Sequence, residues 1–193
     1  MMRRLFLKAV LAVGLSFAAP SFAADDENTL LIEVGGAVSG TVEIELLPDL
    51  APNHVARIKE LARAGKYDGA VFHRVIEGFM AQTGDVQFGT MDTASEGRAG
   101  MGGSDLPDLE QEFSAEPHIE GVLSMARAQD PNSANSQFFI VFDDATFLDG
   151  QYTVFGRVLS GMDIVHGIKK GVGQSGAVTD PDHMISVRVK SDL

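Results

Sequence analysis

The stretch "VFHRVIEGFMAQTGD", residues 71–85, sets an arginine among side chains that favour burial. The large apolar residues around Arg74 are Val71, Phe72, Val75, Ile76, Phe79 and Met80. Burying a charge is costly unless the charge has a partner. No nucleophile, phosphate-binding loop or recognisable set of metal ligands accompanies this arginine, so its purpose must be sought in the rest of the chain.

Short apolar and alternating segments surround this stretch and predict a mainly β fold. Residues 30–47 predict two strands, the second of which alternates Val42, Ile44 and Leu46 with polar residues. Further strands are predicted at 71–76, 79–83, 121–125, 137–142, 153–158 and 184–190, and helices at 48–65 and 161–170. Residues 86–118 are polar and glycine-rich and predict long surface loops. Without a repeat or linker, residues 24–193 are predicted to form one domain, a closed or nearly closed antiparallel barrel.

The first residues have the pattern of a secretory signal peptide. A basic start, "MMRR", precedes an apolar run, and Ser21 and Ala23 occupy the −3 and −1 positions of a cleavage site. This pattern predicts a signal peptide at 1–23 with cleavage before Ala24, and no stable membrane association afterwards. The alternative is an uncleaved membrane anchor, but the apolar run is short for a bilayer span of ~20 residues.

The composition is strongly acidic. The chain has 15 basic and 27 acidic residues, a net charge of −12, and loss of Arg3, Arg4 and Lys8 with the signal peptide leaves 12 against 27, or −15. This charge argues against nucleic acids and anionic membranes as partners, because their phosphates require a basic surface. The chain has no cysteine, which excludes disulfides, thiol catalysis and thiolate metal sites.

Several familiar catalytic and ligand-binding patterns are missing from the sequence. The stretch "GRAGMGG", residues 97–103, lacks the Gly-Lys-Ser/Thr ending of a phosphate loop, and we interpret it as a flexible turn. The five histidines show no metal-ligand spacing, and no serine lies in a nucleophile-elbow pattern. The sequence therefore predicts neither a metal nor a cofactor.

What remains is a set of apolar side chains with a few hydrogen-bonding groups. They lie in "GVLSMARAQDPNSANSQFFIVF" (121–142) and "FLDGQYTVFG" (147–156). Core packing is the simplest interpretation of each Phe and Met. However, successive residues of a strand point to opposite faces, so one of Phe138 and Phe139 can pack in the core while the other faces a groove.

Four motifs, "FHRVIEGFMAQTGD", "GVLSMARA", "SQFFI" and "FLDGQYTVFGRV", resemble in this order and spacing the cyclophilin family of peptidyl-prolyl cis-trans isomerases. The likeness extends from residue 30 or so to the end of the chain and is weakest over 86–118. It implies a closed antiparallel β-barrel of about eight strands capped by two helices, with a groove on the outer face. The form "MARAQDPNSANSQFF" is similar to bacterial members. With the signal peptide, it implies a periplasmic monomer that acts on proline-containing polypeptides during folding.

The resemblance also assigns roles to individual side chains. It implies that Arg74 donates to the prolyl nitrogen, with Phe79 and Gln82 as further catalytic residues and Gln82 bonding a substrate carbonyl. The implied substrate-binding residues are Met80, Gly100, Ala126, Arg127, Gln137, Phe139, Phe147, Leu148 and Tyr152. Among these, Met80, Phe139 and Leu148 would join Phe79 in holding the proline ring. A neighbouring subsite would be lined by Ala126, Arg127 and Gly100.

Prolyl isomerisation explains an arginine among apolar residues. Amide resonance holds the X–Pro bond planar with a barrier of ~18–20 kcal/mol, and no bond has to break during rotation. As the amide twists, the nitrogen lone pair localises and can accept a hydrogen bond. Arginine is a permanently charged donor, and apolar surroundings strengthen its interaction. The alternative is a binding module or holdase chaperone that uses the same groove without catalysis, for which Arg74 would not be needed.

Three positions depart from the usual family pattern. Phe147 lies where many members carry Trp, Tyr152 where many carry His, and Arg127 where Asn is usual. The family's Trp donates its indole N–H to cyclosporin, and Phe has no donor. We therefore expect isomerase activity with weakened cyclosporin binding.

Overall fold

The computed structural model describes residues 25–193, so the predicted signal peptide at 1–23 and its cleavage site lie outside the described residues. The described chain forms one eight-stranded antiparallel sheet with two α-helices, as predicted. The strands are β1 Thr29–Gly35, β2 Gly40–Leu46, β3 Arg74–Ile76, β4 Met80–Thr83, β5 Val122–Met125, β6 Phe138–Val141, β7 Val154–Ser160 and β8 His183–Val189. The helices are α1 Pro52–Arg63 and α2 Met162–Gly167. Within residues 25–193, neither helix has the length and apolarity needed to cross a bilayer.

Local sequence rules account for the main elements. Pro52 begins α1 at a position where its missing N–H costs no hydrogen bond, and Gly65 follows the helix with a φ of +65°. The face of α1 formed by residues 55, 58, 61 and 62 is buried, as its spacing predicts. In β2, Val42, Ile44 and Leu46 are buried, and the residues between them are more exposed.

The sheet is a curled half-barrel, so the predicted antiparallel fold is confirmed and the full closure of the barrel was slightly overstated. Its strand order is β3-β4-β6-β5-β7-β2-β1-β8, which leaves β3 and β8 as edges. The two edges approach each other just before β3, at an isolated bridge of Val71 with His183. The ladder does not continue along β3, because the outer edge of β3 bonds to a loop and not to β8: Val75 donates to the Gly176 carbonyl, and Arg74 forms a bridge with Ala177. The predicted strand 71–76 is accordingly shortened to three residues.

The two faces of the sheet carry two separate apolar clusters. Phe138 belongs to the main core, where its ring meets those of Tyr67 and Phe155 edge-on at centroid distances of 5.7 and 5.8 Å. Phe139 belongs to a smaller cluster on the opposite face, together with Met80 and Leu148. The alternation expected for a strand therefore separates these neighbouring phenylalanines as predicted.

The long loops predicted between 86 and 118 are present, with only a short 3₁₀ turn at Ala94–Glu96. The interpretation of 97–103 as a flexible turn, however, missed its attachment to the sheet. The buried carboxylate of Asp85 accepts hydrogen bonds from the backbone N–H groups of Gly100 and Gly102 at 2.8 and 3.0 Å. It also accepts from the N–H groups of Gln87 and Phe88, so one side chain holds both ends of the loop.

Candidate active site

The register of three strands brings the predicted polar and apolar site residues into one row. Arg74 on β3 lies opposite Gln82 on β4, and Gln82 lies opposite Phe139 on β6. Directly paired residues point to the same face of a sheet, so these side chains are neighbours. Met80 precedes Gln82 by two residues and shares its face. The sequence separates these groups by up to 65 positions, and the sheet places them side by side.

The guanidinium of Arg74 is oriented by neutral acceptors. Its Nε donates to the Ser175 carbonyl at 3.1 Å, and its Nη1 donates to Gln82 Oε1 at 3.2 Å and lies 3.9 Å from Met80 Sδ. Among residues 25–193, Nη2 has no hydrogen-bond partner and no carboxylate forms a salt bridge with Arg74. The side chain is thus held in place while one NH₂ group and the whole charge remain available to a ligand.

A second set of hydrogen bonds connects Gln82 to the neighbouring loop. Gln82 Nε2 donates to Gln137 Oε1 at 3.0 Å. Gln137 Nε2 in turn donates to the carbonyls of Gly100 and Gly102 at 3.0 and 2.7 Å. Because Asp85 holds the N–H groups of the same two glycines, the arginine is linked through two glutamines to a loop that is fixed from both sides.

The row opens onto a cavity of about 290 Å³, at the small end of the ~300–1,000 Å³ typical of ligand pockets. Ten of the twelve site residues predicted from the sequence line it: Arg74, Phe79, Met80, Gln82, Ala126, Arg127, Phe139, Phe147, Leu148 and Tyr152. Met80, Phe139 and Leu148 are buried and form its apolar walls. This combination of a donor and an apolar recess suits a small ring next to a hydrogen-bond acceptor.

Two aromatic side chains form the rim of this cavity. The ring of Phe147 is 65% exposed and lies 5.5 Å from the ring of Phe79. The ring of Tyr152 meets Phe139 edge-on at 6.0 Å. The guanidinium of Arg127 lies 4.5 Å above the Tyr152 ring and donates to the Gln151 carbonyl at 2.9 Å. The guanidinium of Arg127 is therefore held against the rim by the Tyr152 ring and by backbone carbonyls.

The two remaining predicted residues, Gly100 and Gln137, line an adjoining cavity of about 440 Å³. The two cavities share Gln82, Ala126 and Arg127. The walls of the second cavity are polar and come from loop residues, including Ser104, Asp108, Ser133 and Asn135. An extended chain advances ~3.3–3.6 Å per residue, so a peptide seated in the first cavity can place a nearby side chain in the second.

A buried histidine that the sequence did not predict as part of the site, His118, lies behind the apolar wall. The ring of His118 stacks on that of Phe139 at 6.4 Å between centroids. His118 Nδ1 lies 2.9 Å from Asp149 Oδ1, and Nε2 lies 3.0 Å from Ser124 Oγ. Ser124 is opposite Phe139 in the ladder between β5 and β6. No local spacing reveals this chain of contacts, because Ser124 and Asp149 meet His118 only after the sheet has formed.

Burial and backbone donors set the charge states around the site. Burial raises the pKa of Asp85, but the backbone N–H groups that it accepts outweigh this effect and leave the pKa below its usual value. The backbone N–H of His118, and after it the His118 ring, lower the pKa of the Asp149 carboxyl. Burial lowers the pKa of His73, whose two ring nitrogens have no hydrogen-bond partner in the described part of the chain. His73 is therefore neutral near pH 7, and Arg74 supplies the positive charge at this end of the groove.

Comparison with known families agrees with this geometry. A family model described as cyclophilin type peptidyl-prolyl cis-trans isomerase matches residues 29–189. A Brucella suis protein named "Probable peptidyl-prolyl cis-trans isomerase" is 55% identical over 186 residues, which cover 95% of this chain and 93% of the relative. Peptidyl-prolyl cis-trans isomerase B of Bacillus subtilis is 40% identical over 131 residues, covering 67% of this chain and 84% of the relative.

Solved structures show the same fold. A cyclophilin from Hirschia baltica superposes with a TM-score of 0.73 and 32% identity, covering 88% of this chain and 76% of that one. A Cryptosporidium parvum cyclophilin crystallised in the presence of the dipeptide Ala-Pro superposes with a TM-score of 0.70. The latter is 24% identical over 83% of this chain and 98% of its own, and supports the fold alone.

Proposed function

Because this chain belongs to the cyclophilin-type peptidyl-prolyl cis-trans isomerase family, we propose that it isomerises X–Pro bonds by donating a hydrogen bond from Arg74 to the prolyl nitrogen. The observation that carries this mechanism is the orientation of the arginine. Its Nε and Nη1 are bonded to neutral acceptors, whereas Nη2 has no partner among residues 25–193. A donor that is already oriented and lacks a counter-ion requires little rearrangement when the substrate twists.

The apolar cavity binds the proline, and the arginine acts on the barrier. Burying the three CH₂ groups of a proline ring against Met80, Phe139 and Leu148 is worth about 0.8 kcal/mol each. This gain is similar for the planar and the twisted amide, so it tightens binding without accelerating rotation. The nitrogen lone pair is localised only in the twisted amide, so the hydrogen bond from Arg74 stabilises that state selectively and lowers the barrier.

Gln82 has two roles in this proposal. Its Oε1 accepts from Arg74 Nη1 at 3.2 Å, and its Nε2 donates to Gln137 at 3.0 Å. It therefore fixes the guanidinium and lies at the junction of the two cavities, where a carbonyl of the bound peptide can compete for its amide. Membership of the peptidyl-prolyl cis-trans isomerase family supports proline-containing peptides as the ligand class.

The test is the rate of cis-to-trans conversion of an X–Pro peptide with and without the protein. We expect acceleration that is proportional to protein concentration and strongly reduced in Arg74→Ala. The alternative is a chaperone that binds peptides in the groove without catalysis. Binding of X–Pro peptides without any acceleration would support that alternative and contradict the isomerase mechanism.

We also propose that the protein acts in the periplasm as a monomer after export. The support is the predicted signal peptide at 1–23, which lies outside the described residues. Its substrates would then be proline-containing polypeptides that fold after secretion, where slow X–Pro isomerisation limits folding.

A further inference from the structure

We propose that the second cavity selects polypeptides with a Lys or Arg within two residues of the isomerised proline, and that Asp108 determines this preference. The inference rests on the proposed function and specifies its substrate class. It depends on which polar groups of the cavity wall are already bonded and on where charges lie around it.

Most of the polar side chains of this cavity are satisfied within the protein. Asn135 Oδ1 accepts from the N–H and the hydroxyl of Ser104, both at 2.7 Å. Asn135 Nδ2 donates to the Leu106 carbonyl at 3.0 Å and to Asp108 Oδ1 at 2.9 Å. Ser133 Oγ donates to the Asp130 carbonyl and accepts from the Ala128 N–H. These groups shape the cavity, but their hydrogen-bonding capacity is largely used.

The carboxylate of Asp108 is different. It is exposed, lines the cavity, and in the described residues its Oδ2 has no hydrogen-bond partner. It forms no salt bridge within residues 25–193. A carboxylate with a free oxygen at the wall of a cavity is complementary to an ammonium or guanidinium group.

Two arginines lie near this carboxylate, and neither forms a salt bridge with it within residues 25–193. Arg57 lies behind the wall, where its guanidinium donates to the carbonyls of Pro107 and Asn135. Arg127 also lines the cavity, but its Nη1 donates to the Ala128 and Gln129 carbonyls, and its Nε and Nη2 donate to Gln151. Its guanidinium is thereby turned toward the Tyr152 ring.

Apart from Arg74 in the first cavity, the loops around the second cavity are predominantly acidic. Residues 99–156 include the loops around this cavity and the Phe147 rim, and Arg127 is their only Lys or Arg. The acidic residues of this segment are Asp105, Asp108, Glu110, Glu112, Glu116, Glu120, Asp130, Asp143, Asp144 and Asp149. A surface of one sign raises the local concentration of oppositely charged ligands. The acidic loops therefore favour association with a basic substrate, and Asp108 stabilises that substrate once it is bound.

The experiment compares kcat/KM for three X–Pro peptides that differ only in Lys, Gln or Glu, placed two residues before the proline and, in a second series, two residues after it. In one of the series, we expect kcat/KM for the Lys peptide to be about tenfold higher than for the Glu peptide. Attraction of the Lys peptide and repulsion of the Glu peptide both contribute, and an exposed charge pair changes kcat/KM by up to about fivefold. Asp108→Asn keeps the shape and can still accept from Asn135, and it should reduce this ratio to about threefold or less. Asp163→Asn removes an exposed carboxylate from α2, which lines neither cavity, and should leave the ratio unchanged.

The outcomes separate this inference from the proposed function. Equal kcat/KM for all three peptides in both series, with isomerase activity intact, overturns only the charge preference. A ratio that falls equally in the Asp108 and Asp163 variants shows that general surface charge, and not Asp108, sets the preference. Failure to accelerate any peptide contradicts the isomerase function itself.

Discussion

Replacing Arg74 by alanine tests the catalytic mechanism most directly. The substitution removes the free Nη2 donor and a guanidinium charge that lines the cavity. Removal of one preorganised donor from an active site typically costs about 10²–10³-fold in rate. Because this groove is open to solvent on one side, we expect the lower end of that range. The predicted loss in kcat/KM is about 100-fold, or ~2.7 kcal/mol of transition-state stabilisation.

The structure also predicts that Arg74→Ala remains folded. Arg74 is only partly buried, and the hydrogen bonds that it loses are those to Ser175 and Gln82 at the edge of the groove. Such bonds contribute about 0.5–1.5 kcal/mol each, which is small compared with a typical unfolding free energy of ~5–15 kcal/mol. Thermal unfolding of both proteins provides the control.

Arg74→Lys distinguishes charge from geometry. Lysine keeps the charge, but as a single ammonium group it cannot bond Ser175 and Gln82 while presenting a separate donor to the substrate. We expect activity between those of the wild type and the alanine variant. The measurement is the cis-to-trans rate of an X–Pro peptide by exchange NMR, at substrate concentrations that separate kcat from KM. A folded alanine variant with full kcat/KM would refute the mechanism.

Four further predictions follow from the site and the sequence. Turnover should be nearly flat from about pH 6 to 9, because the proposed mechanism transfers no proton. A bell-shaped pH–rate profile would reveal an acid or base that this mechanism lacks. Stability should fall as the pH drops below about 6.5, because buried His54 and His73 have lowered pKa values and the unfolded state binds more protons. The lowered pKa of Asp85 adds to this loss at lower pH, and urea unfolding at pH 7 and pH 5 measures the effect; equal midpoints would contradict it. Phe147→Trp should tighten cyclosporin inhibition by about tenfold with little change in peptide turnover. The exposed ring would then carry an N–H donor, whose hydrogen bond is worth ~0.5–1.5 kcal/mol. Equal inhibition constants for the two proteins would show that this position does not set drug binding. Mass spectrometry of exported protein should find Ala24 as the first residue, and an intact Met1 would support the membrane anchor instead.

Local pattern in the sequence was sufficient to predict the main helices and strands and their buried faces. The apolar spacing of α1 and the alternation of β2 identify their buried faces, because periodicity depends only on backbone geometry over a few residues. The same alternation separates Phe138 from Phe139. The resemblance of four motifs to a known family assigned site roles to side chains that line the first cavity. The sequence alone could not give the distances between them.

Tertiary structure decided the features that depend on contacts between distant segments. The sheet stays open between β3 and β8 because the outer edge of β3 bonds to the loop around Gly176 and Ala177, which no local pattern reveals. The attachment of the 97–103 turn to Asp85 and the contact of His118 with Phe139 depend on how loops close over a finished sheet. The sequence thus determined which residues are apolar, charged or extended, since these are short-range properties. Only the fold decided that Arg127 bonds the Gln151 carbonyl and that Arg74 keeps a free donor, because such hydrogen bonds depend on the register of strands and loops far apart in the chain.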